Sequence, residues 1–230
     1  LRRLPAPKIG VMPWGVGDLA RGLGFERIIE LNWWESFSHG DWKVTLTPCK
    51  HWGARTIHDS HRGYGGFIIE HQGRRVYHAG DSAYFEGCKE IGARCPPELA
   101  LLPIGAYYPE SFRNVHMGPD EALQVFRDIR AKCFVPMHFG TFKLSFEDLD
   151  EPPRWLRELA AANGASVSWH RTIGELTSLS IPIEASLAAT ASACSRPRSF
   201  RCTPADRPAR MPATLAVDCP CLSSTTVVMA

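Results

Sequence analysis

Short apolar runs that stop at polar corners set the pattern of this chain. Val44 and Leu46 alternate with Thr45 and Thr47, the period of a strand with one buried face. Two further runs, 65–70 and 74–79, are joined through His71-Gln72-Gly73; that spacing and the glycine predict a hairpin. Residues 99–104 (Leu-Ala-Leu-Leu-Pro-Ile) and 133–137 (Cys-Phe-Val-Pro-Met) are apolar on both sides, as central strands are. Residues 27–31 predict another strand, 167–169 and 175–179 two short ones, and Ser38-His39-Gly40-Asp41 a turn.

Between the strands the period changes. Ala122, Leu123, Phe126 and Ile129 share one face of a helix opened by Pro119, with Asp120 and Glu121 in the first turn, where the helix dipole favours negative charge. Residues 84–93 predict a second helix and 17–23 a short one. A further helix runs through Trp155, Leu156 and Leu159, after Pro152-Pro153, and ends at Asn163-Gly164. Strands alternating with helices predict an α/β layered domain over residues 1–180. After residue 180 the periodicity stops. Residues 181–230 hold one aromatic, Phe200, and no lysine, and are rich in Ala, Pro, Ser and Arg. Such a segment buries too little apolar surface to offset its ordering entropy, so a disordered tail is expected there.

Composition narrows the function classes. The 230 residues are 44% hydrophobic and 22% charged, with net charge +2, an ordinary globular balance. No basic excess points to nucleic acid, and no apolar stretch approaches the roughly 18 residues of a spanning helix. The eight cysteines show no paired ligand spacing apart from Cys219-Pro220-Cys221, which suits loose thiols in a reducing compartment. The chain opens Leu1-Arg2-Arg3-Leu4-Pro5, with no apolar run behind the charges and no methionine. It is therefore expected to lack a secretory signal and to have lost an upstream segment by processing or truncation.

Candidate chemistry sits where the apolar runs end. His51 follows the 43–50 run, Asp81 follows 74–79 through Gly80, and His138 follows 133–137. One carboxylate and two imidazoles, each at the end of its own strand, are ligand types that could converge on a metal. His78, inside a run, reads as packing. His58-Asp59-Ser60-His61 looks like a metal motif but lies in a polar loop without matching spacing.

In order, Lys50-His51-Trp52, Ala79-Gly80-Asp81-Ser82, Pro103-Ile104-Gly105-Ala106-Tyr107, His116 before Pro119-Asp120-Glu121-Ala122, and His138-Phe139-Gly140-Thr141-Phe142 resemble the C-terminal two-thirds of a metallo-β-lactamase-fold hydrolase. The likeness runs from about Pro13 to Leu176. Within that superfamily it points to N-acyl-phosphatidylethanolamine-hydrolysing phospholipase D, with a lactonase of the ascorbate-6-phosphate type, another phosphodiesterase or a non-catalytic truncated chain as alternatives. The resemblance implies part of an αββα sandwich and two zinc ions. It assigns His51 and His138 one to each metal, Asp81 bridging both, and His116 a catalytic or substrate-contact role outside the metal shell. Trp52 and Tyr107 are expected to contact substrate, and Trp33 and Trp34 are open to an acyl-groove role or to plain packing. A phospholipid substrate, peripheral contact with an intracellular membrane or a cytoplasmic location, and a homodimer are compatible with this reading. The family's His-x-His-x-Asp-His motif does not occur in the sequence. Three of the seven family ligands are therefore expected in this chain, with weak zinc binding and little hydrolysis.

Overall fold

The computed structural model describes residues 8–53, 60–165, 167–168, 216–218 and 226–229. The hairpin carries the larger of two sheets. β5 (Gly66–His71) and β6 (Arg74–His78) pair antiparallel, and β4 (Trp42–Thr47) pairs antiparallel with β5 on its other side. β7 (Leu99–Pro103) adds parallel to β6, and β8 (Cys133–Met137) adds parallel to β7. With β3 (Ser36–His39) beside β4, the six strands run β3-β4-β5-β6-β7-β8. Alternation along β5 shows why this sheet lies between two layers. Ile68 points into one core, while Phe67 and Ile69 point into the other.

The first core is covered by helices. α2 (Gly87–Arg94), α3 (Pro119–Asp128) and α4 (Glu151–Asn163) lay Ile91, Leu123 and Leu156 against the sheet. α3 starts at Pro119, and the Gly118 N–H donates to Glu121 Oε2 at 3.2 Å, satisfying one of the free donors of the first turn. Pro152 and Pro153 lie inside the first turn of α4 rather than before it, where a missing N–H costs nothing. Gly164 closes α4 in a left-handed conformation.

The second core joins the two sheets. β1 (Lys8–Pro13) is buried along its whole length and pairs in parallel with β2 (Arg27–Leu31). Ile9, Val11 and Leu31 meet Val44, Leu46 and Phe67 there. The short α1 (Gly17–Ala20) follows β1. The layers are thus helices, six-stranded sheet, smaller sheet and short helix, the αββα order expected.

The structure also departs from the sequence reading. β1 arises in a Gly- and Pro-containing stretch with no strand period, because both its faces are buried. β3 forms where a turn was expected to begin, pairing Ser36↔Thr45 through His39↔Trp42 and leaving only Gly40-Asp41 to turn. Two short parts of the 181–230 stretch are strands: β9 (Ala216–Asp218), and β10 (Thr226–Met229), which runs parallel to β1. Thr226-Val227-Val228 is β-branched, a composition that suits a pleated surface. Val167 makes one isolated bridge to Phe134, and the expected strand at 175–179 lies outside the described residues.

Candidate metal centre

Strand register decides which side chains meet. β6, β7 and β8 are parallel, so their C-terminal ends share one edge of the sheet. β4, two strands from β6 across antiparallel β5, ends at that edge as well. Beyond β4, a bridge between Lys50 and Ala83 ties the loop carrying His51 to the loop carrying Asp81. Ser82 braces the same junction: its hydroxyl accepts the Lys50 N–H at 3.0 Å and donates to the Ala83 carbonyl at 2.7 Å. The corner before Asp81 needs glycine. Gly80 has φ +66°, and a Cβ there would stand 3.0 Å from the Gly65 carbonyl oxygen.

Four side chains converge at this edge. His138 Nε2 lies 3.3 Å from Asp81 Oδ1. One ligand atom from each of His51, Asp81 and His116 falls within 4.8 Å of the others. The His116 ring stacks on His138 at 5.6 Å between centroids and meets His51 edge-on at 5.3 Å. The expected trio of His51, Asp81 and His138 is therefore brought together. His116, expected in a catalytic or substrate-contact role outside the metal shell, stands among them.

The imidazole nitrogens show what this arrangement can hold. His51 Nδ1 lies 2.9 Å from the Trp52 carbonyl oxygen; donating there leaves the Nε2 lone pair free. His51 Nε2, His116 Nδ1 and His138 Nδ1 are buried with no hydrogen-bond partner among the described residues, an unusual state for polar atoms. Unpartnered imidazole nitrogens grouped around a carboxylate fit the donor set of a divalent metal such as zinc.

Electrostatics sharpens the same picture. Burial opposes ionisation of Asp81, but its hydrogen bond to His138 and the fields of the three histidines hold its pKa below the ordinary carboxylate value. Burial disfavours the charged His138 ring, yet Asp81 and the Gly105 carbonyl raise its pKa above that of a free imidazole. His116 moves the other way, lowered by burial and then by His138 and His51. Cys49 is pushed up to about 12, mainly by burial and then by Asp81, so it stays a neutral thiol.

Around these groups the other expected residues sort themselves. Trp52 is 51% exposed and stacks on His51 with centroids 4.6 Å apart. Tyr107 is only 5% exposed and its hydroxyl donates to Glu151 Oε1 at 2.7 Å. It has almost no surface left for a ligand and instead fastens the 105–108 turn to α4. Trp33 lines a cavity of about 400 Å³ with Trp14 and Tyr64, whereas Trp34 packs against the helical core under Arg94. His78 accepts the Gly80 N–H at Nδ1, 3.1 Å away, and burial lowers its pKa; it packs, as its place inside a run suggested. His58 and Asp59 lie outside the described residues, and His61 is exposed.

One residue of the site carried no signal in the sequence. Glu147 sits in a stretch of no regular period after β8, yet its carboxylate accepts the Ala106 N–H at 2.6 Å and the Tyr108 N–H at 3.2 Å. With Gly105, Ala106 and His138 it lines one small cavity. Only the long-range fold shows this.

Comparison with known proteins identifies the family of this fold. Residues 13–139 match the model of the beta-lactamase superfamily domain. The N-acyl-phosphatidylethanolamine-hydrolyzing phospholipase D of Saccharomyces cerevisiae, described as mitochondrial, is 33% identical over 166 residues, covering 67% of this chain and 35% of that protein. A UPF0173 metal-dependent hydrolase of Shouchella clausii is 30% identical over 176 residues, covering 73% of each. Among solved structures, Igni18, a metallo hydrolase of the archaeon Ignicoccus hospitalis, superposes with TM-score 0.54 at 27% identity, over 70% of this chain and 64% of that one. The chain thus spans about a third of the length of its yeast relative.

Proposed function

Because the chain belongs to the beta-lactamase superfamily of metal-dependent hydrolases, we propose that it forms part of a zinc phosphodiesterase site acting on N-acyl-phosphatidylethanolamine. The products would be N-acylethanolamine and phosphatidic acid. One observation carries the choice of a lipid. Of the large hydrophobic side chains exposed among the described residues, six gather at the strand-end edge. Trp52, Tyr108, Phe142, Leu144, Phe146 and Leu149 are each 45–69% exposed. Trp52 stacks on His51; Phe142, Leu144 and Leu149 line the cavity shared with His138; the Phe146 N–H donates to the Tyr108 carbonyl. An apolar rim of this kind marks an interaction surface, and it suits a substrate taken from a bilayer. The yeast relative's printed activity favours the same substrate class.

Within the site, His51, Asp81 and His138 would hold the metal, with Asp81 shared between two ions. Bound there, zinc lowers the pKa of a coordinated water towards neutrality and stabilises charge on phosphoryl oxygens. His116, beside Asp81 and His138, would hydrogen-bond a phosphoryl oxygen or the leaving oxygen. Its lowered pKa keeps the ring neutral, with one nitrogen donating and the other accepting. Trp52 and the 142–149 segment would meet the lipid. Contact with an intracellular membrane would be peripheral, and no helix among the described residues is long and apolar enough to cross one.

Two imidazoles and one carboxylate are few ligands for two ions, so this reading assigns the remaining ligands to a segment carrying His-x-His-x-Asp-His. The test compares the present chain with one to which such a segment is joined. The joined protein is expected to hold two zinc ions by metal analysis and to release N-acylethanolamine, while the present chain binds zinc weakly and turns over little. Two tightly held zinc ions and full turnover in the present chain alone would refute the ligand assignment.

A further inference from the structure

His116 reaches the metal centre from the segment between β7 and α3, which has little regular structure of its own. It contains one 3-10 turn, Glu110–Asn114, a form with poor hydrogen-bond geometry that is used only in short pieces. The turn is bonded to His116 directly: the Val115 and His116 N–H groups both donate to the Phe112 carbonyl, at 3.0 and 2.9 Å. The Phe112 ring lies 6.5 Å from the His116 ring between centroids. The imidazole therefore goes where the turn goes.

Arg113 holds that turn. Its guanidinium crosses Gly118, where a Cβ would stand 2.8 Å from Nη2, and reaches the start of α3. Nη1 donates to both carboxylate oxygens of Asp120 at 3.1 Å and lies 3.0 Å from Glu121 Oε2. The same group lies 5.5 and 5.8 Å from the ring centroids of Tyr107 and Trp155. The Arg113 side chain is only 17% exposed, and charged contacts gain strength away from water. Met117, the neighbour of His116, is buried in the helix-covered core. The chain from 113 to 120 is thus closed by its own side chains, with His116 inside the closure.

We propose that Arg113 is a positioning residue for His116. It clasps the turn that bonds His116 to the start of α3 and to the Tyr107 and Trp155 rings. The clasp, acting through the backbone between Phe112 and His116, fixes the imidazole 5.6 Å from the His138 ring and 5.3 Å from that of His51. Arginine suits the task because its planar fork binds carboxylates and stacks on aromatic faces at once. The catalytic half of the inference rests on the function proposed above; the placement of the ring does not.

In the metal-free chain, nuclear Overhauser contacts between the His116 and His138 ring protons report that placement, and they are expected in the wild type. Arg113→Met keeps an unbranched side chain and removes the charged fork. It should weaken those contacts several-fold and leave the His51–Trp52 stack as it is. Arg94→Met takes away the cation over Trp34 in the same helical layer; it should lower the melting temperature and leave the His116 contacts unchanged. Should Arg113→Met fail to fold, Asp120→Asn loosens the same clasp and should move the contacts in the same direction by less. In the protein with the His-x-His-x-Asp-His segment joined, Arg113→Met should lower kcat about 100-fold, as misplacing a reacting group does, with its zinc content unchanged. Added to His116→Ala, it should cost no further activity, because the two changes remove one effect. Ring contacts absent from the wild type, unchanged in folded Arg113→Met (or in Asp120→Asn if that is the variant read), or lost equally in Arg94→Met overturn the proposal. A full further loss in the His116→Ala background overturns its catalytic half. If the wild-type joined protein turns over no substrate, the functional reading falls while the ring contacts still decide the role of Arg113.

Discussion

The helix-covered core and the strand-end edge are built from the same strands and obey opposite rules. In the core, Ile91, Leu102, Ile104, Phe134 and Leu156 are fully buried, their backbones regular and their neighbours apolar. A few residues further along β6 and β8, and in the turn that follows β7, the chain turns left-handed at Gly80, His138 and Ala106. There it buries imidazole nitrogens without partners and exposes a rim of aromatic and aliphatic side chains. Strand length supplies stability, and strand ends hold chemistry at some cost in stability. If so, substitutions in the two regions should separate stability from function.

The largest effect is expected at Asp81. In the protein completed with the His-x-His-x-Asp-His segment, Asp81→Asn should reduce turnover to background, since a neutral amide bridges two cations poorly. Its melting temperature without metal should fall slightly, because a carboxylate held ionised by His138 and its neighbours stabilises the fold at neutral pH, and the fall should be smaller than that of a core truncation. A product assay beside thermal unfolding checks both, and turnover near wild type would break the comparison. Phe134→Ala should do the reverse. Losing a fully buried ring costs about 3–5 kcal/mol, visible as an early denaturant midpoint, while whatever fraction stays folded keeps its zinc affinity.

Smaller effects are expected on the rim. Replacing Leu144 and Phe146 together by serine should cut sedimentation with phosphatidylcholine vesicles several-fold. Both are more than half exposed, so stability should move by no more than about 0.5 kcal/mol. Vesicle binding equal to wild type would leave the apolar rim without its assigned role.

The smallest effect is a pH dependence at Glu147. Burial raises its pKa, but the Ser145 hydroxyl and the backbone N–H groups it accepts bring it below the ordinary 4.5. A carboxyl lowered on folding stabilises the fold above its unfolded pKa and loses that contribution as the pH falls through the folded value. The stability gap between wild type and Glu147→Gln should therefore be constant from pH 7 to about 5 and narrow below 4.5. A gap that widens on acidification would contradict the sign.

How much of this was legible differs by residue. His51, Asp81 and His138 could be picked out because each ends a recognisable apolar run, and parallel register brought those ends together. Trp52 followed from His51. The sequence neighbours of Tyr107 do not show that Glu151, forty-four residues on, takes its hydroxyl. Glu147 offered no signal at all, since its partners at Ala106 and Tyr108 are distant in the chain.

Local patterns, then, were enough to determine the main elements: the β5–β6 hairpin, the central strands and α3, whose side-chain period and turn residues act over a few positions. They also identified the family through the order of its strand-end motifs. Tertiary structure alone decided that β1 and β3 are strands, that His116 stands beside Asp81, and that Glu147 grips the turn next to His138. Those outcomes depend on pairing and packing between segments far apart in the chain, which no local period encodes.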